Sequence, residues 1–146
     1  METPKYYTPE IIEFHVGFEF EMHSTITQSF CRTATAEWTS IHLHETDFLI
    51  ALLPAIHNKN VRVKHLDRED IESLEWECRL FNQSYNSGEF IINNKYILIF
   101  NLIDLFCVIK HINFPDRVEK NIISVFQGII KNKSELKKIM KQLNIS

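Results

Sequence analysis

Glycine is scarce, with only Gly17, Gly88 and Gly128 in 146 residues. A phosphate-cradling loop needs several glycines close together so that the backbone can approach the anion, and three scattered ones exclude it. Cysteine is equally sparse. Cys31, Cys78 and Cys107 lie far apart, with no CxxC or CxxH pair, which points to reduced, mostly buried thiols. No apolar run is long enough to span a bilayer, since the longest, YILIFNLIDLFCVI at 96–109, is interrupted by Asn101 and Asp104. The opening METPKYYTPEIIEF lacks the basic start and apolar stretch of a secretory signal. These absences predict a soluble, cytosolic protein.

What is present fits one globular domain over 1–146. Apolar residues make up 45 % and charged residues 24 % of a 17.3 kDa chain. A chain of this length buries roughly two thirds of its unfolded surface. Phenylalanine is frequent, at 11 copies, which favours packed strands and helices over long loops. The net charge of −3 hides an asymmetry. Residues 1–80 carry 14 Asp or Glu against 7 Lys or Arg, whereas 81–146 carry 5 against 9. The chain is acidic in front and basic behind, without the strong positive excess of a dedicated nucleic-acid binder.

Apolar periodicity supplies the elements. EFHVGFEFEMH at 13–23 places Phe14, Val16, Phe18, Phe20 and Met22 on one face and predicts a half-buried strand. A second extended stretch runs from about Phe30 to Leu43 and pairs with the first across the polar STITQS connection. DFLIALLPAI at 47–56 predicts a short helix stopped near Pro54, with a strand as the alternative. VRVKHL at 61–66 reads as a strand. It leads into a short helix ending near Leu74, with Asp67 as cap and Leu66 and Ile71 as a hydrophobic staple. WECRLF, EFIINN, KYILIFNL, DLFCVIKHI and KNIISVFQGII then read as hairpin-linked strands. Asn86–Ser87–Gly88, Asn93–Asn94 and Pro115–Asp116 mark turns between them. The tail opens with Asn132 and Glu135 in a capping-box arrangement and carries Leu136, Ile139, Met140 and Leu143 at helical spacing. The predicted fold is α+β: an antiparallel meandering sheet with a short inner helix and a C-terminal helix packed on it.

Chemistry is harder to find. His42 and His44 form an HxH pair, and His15, Glu19, Glu21 and His23 share the polar face of the first predicted strand. A water-facing strand has the same pattern, and no HExxH or EF-hand spacing completes it, so no metal site is expected. FPDRVEK at 114–120 holds Pro115, Asp116, Glu119 and Lys120, too close together for a PD…ExK nuclease centre. There is no GxSxG, and Cys107 and His111, four apart in a predicted strand, serve packing as well as chemistry. The expectation is a protein that is not an enzyme, with no catalytic residues and no cofactor. Lys131, Lys133, Lys137, Lys138 and Lys141 crowd the tail with Glu135 as their only acid. They read as the wet face of a structural helix, or as a contact for phosphates without sequence specificity. Tyr6, Tyr7, Trp38 and Tyr85 are either interface anchors or parts of the core.

Three stretches, YYTPEIIEFHVGFEFE, VRVKHLDREDIESLEW and IKNKSELKKIMKQLNI, resemble a family of small proteins encoded by bacteriophages and prophages of the Bacteroidota. The stretch from about Cys78 to Lys120 is not matched, and no catalytic residue is carried over. The resemblance implies a phage-encoded interaction protein in the host cytosol. It would bind and inhibit a bacterial defence effector, an RNA-guided nuclease or its guide-RNA complex first among them, in the manner of an anti-CRISPR protein. Under that expectation Glu10, Glu13, Glu19 and Glu21 are the candidate partner contacts, and Lys133, Lys137, Lys138 and Lys141 the candidate nucleic-acid contacts. The alternatives are a nucleic-acid-binding accessory protein of a phage or prophage, a phage structural protein, and a metal-dependent enzyme.

Overall fold

A computed structural model of the chain describes residues 5–23, 38–43, 49–113 and 121–145. In order it forms β1 (Tyr6–Tyr7), a 3-10 turn (Ile11–Glu13), β2 (Glu19–His23), β3 (Trp38–His42), α1 (Leu49–His57), β4 (Val61–Lys64), α2 (Arg68–Glu72) and β5 (Glu77–Asn82). A second 3-10 turn (Gln83–Tyr85), β6 (Ser87–Ile92), β7 (Tyr96–Asn101), β8 (Phe106–Asn113), β9 (Asn121–Ile129) and α3 (Lys133–Gln142) complete it. The fold is α+β with antiparallel strands and a C-terminal helix. The chain groups into two compact units, Pro4–His65 and Leu66–Ser146. Each has its own sheet, with strand orders β1-β4-β2-β3 and β5-β6-β7-β8-β9 among the described residues.

In the N-terminal unit, Phe20 and Met22 of β2 and Val61 and Val63 of β4 point into one apolar cluster, and Phe14 and Phe18 join it. The strand expected over 13–23 is shorter than its alternation suggests. Gly17 sits at φ +87°, a conformation open to glycine and costly for other residues, and turns the chain before β2. Its N–H donates to the Leu43 carbonyl at 2.7 Å, while the Leu43 N–H returns to the Phe18 carbonyl at 2.9 Å. Val16, expected inside with Phe14, is therefore 62 % exposed. The pairing of β2 with β3 is antiparallel, Phe20 facing Ile41, as the hairpin reading requires. The STITQS connection and the stretch from Phe30 to Glu37 lie outside the described residues. Helix α1 does not stop at Pro54 but runs through it to His57. Leu52 and Ala55 are buried, and that burial offsets the backbone hydrogen bond a proline cannot make.

The C-terminal unit is the expected meander. The register Phe90↔Leu98, Leu98↔Ile109 and Ile109↔Phe126 lines one row of apolar side chains across four strands. Onto that face α3 lays Leu136 and Met140, with Ile139 and Leu143 packed at its flanks. Asn93 and Asn94 take left-handed conformations in the turn before β7, closed by the Lys95 N–H on the Ile92 carbonyl at 3.1 Å. Asn86 is also left-handed, but Ser87 and Gly88 belong to β6 and not to the turn expected there. The turn at Pro115–Asp116 lies outside the described residues. Asp67 caps α2 by accepting from the Asp70 N–H at 2.9 Å, with Leu66 and Ile71 both buried beside it.

Asn132 is 1 % exposed, yet polar, because its Oδ1 accepts from the Glu135 N–H at 2.9 Å. Glu135 in turn accepts from the Lys131 N–H at 2.6 Å. Asn132→Ala leaves a helix-start donor without its partner, so an unfolding free energy lower by about 1 kcal/mol is expected in urea titration.

Candidate functional site

The four glutamates proposed as partner contacts fall into two pairs. Glu13 is engaged at the 3-10 turn, accepting from the Tyr7 hydroxyl at 2.7 Å and from the Glu10 N–H at 3.0 Å. Glu19 and Glu21, two apart on β2, share the outer face of the four-stranded sheet. Glu21 accepts from Arg62 Nε at 2.7 Å, and Glu19 lies 4.0 Å from His42 Nδ1. Much of the acidic character of this sheet face is thus spent internally, on partners that β3 and β4 bring alongside.

That face also holds an arrangement the sequence did not announce. The Arg62 guanidinium lies 3.9 Å from the Tyr6 ring centre and 4.0 Å from that of Trp38, so one planar cation is stacked against two aromatic rings while Glu21 holds its Nε. His23 meets Trp38 edge to face at 5.1 Å. Tyr6 and Trp38 are therefore tied to the sheet through Arg62. Tyr7 packs beside the core with its ring 4.6 Å from that of His65, and Tyr85 is largely exposed. The signal was present only as alternation: VRVK puts Arg62 on the face opposite Val61 and Val63, but nothing local says that Tyr6 and Trp38 flank it.

His15, expected on the strand face with Glu19 and Glu21, instead lies in the turn before β2 with Nδ1 3.0 Å from the Val16 carbonyl. His44 and the FPDRVEK segment lie outside the described residues, as does Cys31. Among the described residues no three His, Cys, Asp or Glu side chains come together in a way that could hold a metal ion. No helix there is long and apolar enough to cross a membrane.

Cys107 is buried in β8 and four residues from His111, roughly 13 Å along an extended strand. Burial pushes its thiol from the ordinary 9.0 up to about 12. In the native protein alkylation at pH 8 is expected to modify the half-buried Cys78 and spare Cys107, as peptide mass mapping would read. Above pH 9 the unfolded chain gives up this proton while the folded one keeps it. The Cys107 contribution to stability is therefore intact below pH 9 and is lost progressively as the pH rises from 9 towards about 12. Cys107→Ala flattens that slope in urea titrations at pH 8 and 10.

On α3 the lysines Lys133, Lys137 and Lys141 recur every four residues and form one stripe, with Lys138 about 100° further round the helix. Lys137, Lys138 and Lys141 are exposed and Lys133 is half-buried. The face beneath them belongs to the core.

Strand β9 exposes several aliphatic side chains. It stands at the end of the strand order, with β8 on one side only among the described residues. Ile122, Ile123 and Ile129 each expose half of their surface or more, and Val125 more than a third. Between Asn121 and Ile129 there is no charged residue and no proline, the devices by which edge strands ordinarily refuse a partner. A bulge at Ile109/Lys110 of the β8–β9 register leaves Val125 without an opposite residue. The reading of KNIISVFQGII as a strand was right, but sequence does not say that it lies at an edge. No family model, curated protein or solved structure matches this chain.

Proposed function

We propose that the protein works by docking, and that β9 adds as an edge strand to its partner. The carrying observation is an uncharged, aliphatic strand at the end of a five-stranded sheet. Its backbone groups offer affinity, and its alternate side chains offer specificity. In line with the resemblance to phage and prophage proteins, the partner is a bacterial defence effector, an RNA-guided nuclease or its guide-RNA complex, which the docked protein inhibits.

The test mixes the purified protein with a reconstituted guide-loaded nuclease, with and without RNase treatment, and follows co-elution and target cleavage. Stable co-elution with slowed cleavage is expected, and Ile123→Lys with Val125→Lys is expected to restore cleavage while leaving the circular dichroism spectrum unchanged. Elution of the protein by itself with undiminished cleavage would reject this reading.

The stripe of Lys133, Lys137 and Lys141 favours a second reading, a nucleic-acid accessory protein. Lys137→Glu with Lys138→Glu is then expected to weaken binding of a short RNA or DNA at least tenfold. The slope of log affinity on log salt is expected to become shallower by about 0.9 for each phosphate that is no longer neutralised. Under the docking reading the same pair of changes leaves the protein complex intact.

A further inference from the structure

We infer that β9 is also a self-association surface, pairing antiparallel with β9 of a second copy about a two-fold axis to give a homodimer with one continuous sheet. The strand is nine residues long, Asn121–Ile129, or roughly 30 Å of extended chain. Its neighbour on one side is β8, and among the described residues no strand lies on the other. The inference goes beyond the docking reading and does not rest on a defence effector, since it concerns the purified protein by itself.

The bulge decides the register. Along a regular strand alternate residues share a face, so an even-numbered stretch paired end to end with its own copy sets residues of opposite faces against each other. In β9 the extra residue, Val125, resets the alternation. Ile122, Ser124, Gln127 and Ile129 stand opposite Ile112, Lys110, Val108 and Phe106 of β8 and therefore share one face of the sheet. Ile123 and Gly128, opposite His111 and Cys107, share the other. With the axis between Val125 and Phe126, Ile122 meets Ile129 of the second copy, Ile123 meets Gly128 and Ser124 meets Gln127. Each of these pairs joins residues of the same face, and each occurs twice by symmetry.

The chemistry of these pairs suits a second copy. Ile122 and Ile129 are 50 % and 61 % exposed, and the pairing sets one against the other. The Phe126 ring lies over Gly128, 3.2 Å from where a Cβ would stand, so the half-exposed Ile123 is set against an aromatic ring and not bare backbone. Ser124 and Gln127 are both neutral hydrogen-bonding side chains. No charge stands between Asn121 and Ile129, so self-pairing opposes no like charges along the strand. The other end of the sheet differs. There β5 carries Glu77 and Arg79, and an isologous contact through β9 closes on itself, so assembly stops at two copies. A second copy and an effector compete for the same strand, and docking then weakens as the protein concentration rises.

Sedimentation equilibrium of the full chain under reducing conditions, over about 5–200 µM, is expected to show the mass rising from 17.3 kDa to twice that value, because an interface of about 1,000 Å² in total holds at micromolar strength. Isotope-filtered NMR on mixed labelled and unlabelled copies is expected to show contacts between the methyl groups of Ile122 and Ile129, which lie about 23 Å apart within one strand. Ile123→Lys with Val125→Lys, and separately Ile129→Lys, is expected to weaken association at least tenfold with an unchanged circular dichroism spectrum. The inference is overturned by a monomer throughout the series, by a dimer without the Ile122–Ile129 contacts, or by association indifferent to either variant. Each of these failures leaves the docking reading standing, because that reading is tested by co-elution with the nuclease.

Discussion

Trp76→Ala is expected to lower the unfolding free energy by about 3–5 kcal/mol. Trp76 is 1 % exposed and is the largest of the fully buried side chains in the chain. It follows the turn at 73–75 that ends α2 and packs into the cluster shared by the five-stranded sheet and α3. Its indole N–H reaches Met140 on α3, 64 residues away in sequence, so one side chain fixes the helix against the element that precedes the meander. Truncation removes the ring area and leaves a cavity that the surrounding Leu, Ile and Phe side chains refill only in part. Against a total of about 5–15 kcal/mol for an ordinary domain, the loss is a large share. Urea titration followed by far-ultraviolet circular dichroism would measure it, with the midpoint falling and the slope unchanged. Trp76→Phe keeps an aromatic ring and forfeits the hydrogen bond to Met140, and its cost is expected to be clearly smaller. A loss below about 1 kcal/mol for the alanine variant would contradict the packing described.

The C-terminal half of the fold was legible because its signals are local. A cap and the residue it serves stand three apart, as at Asp67 and Asn132, and the tight turn at Asn93–Asn94 is closed by a single hydrogen bond. Strands that follow one another through such turns pair in order, which is the arrangement of β5 to β9. The N-terminal half was less legible because its order is non-local. Tyr6 and Tyr7 pair with Lys64 and Val63, across the whole length of the unit, and two tyrosines carry no periodicity from which a strand could be read. Alternation misled at 13–23, where Phe14 and Phe18 reach the core from outside the strand and Gly17 turns the backbone between them.

The same limit governs the surfaces. Lysine spacing on α3 followed from helical geometry, so the stripe was visible beforehand. The internal partners of Glu13 and Glu21 were not, because Tyr7 and Arg62 meet them only through folding. Exposure is likewise a property of strand order: Ile123 and Ile109 are the same residue type in neighbouring strands, one half exposed and the other fully buried. Candidate contacts chosen by charge alone leave out β9, an uncharged strand at the end of its sheet among the described residues.

Phe18→Ala is expected to cost the N-terminal unit about 3–5 kcal/mol. Phe18 is fully buried, with the rings of Phe14 at 4.9 Å, His15 at 5.6 Å and Phe20 at 6.3 Å from its own. It also follows the left-handed Gly17 and accepts the Leu43 N–H on its carbonyl, so its ring anchors the turn that aims β2 into the sheet. Removing the ring deprives three aromatic neighbours of a packing partner, beyond the area lost. Phe18→Leu, which keeps most of the apolar volume, is expected to cost about 1 kcal/mol. Each unit carries one of the two tryptophans, Trp38 in the first and Trp76 in the second. Trp38 lies in β3, the strand paired with β2, and is stacked on Arg62. Its emission, isolated in a Trp76→Phe background, would report the loss where it occurs. A midpoint unmoved by Phe18→Ala in that signal would mean that the aromatic cluster does not hold the four-stranded sheet together.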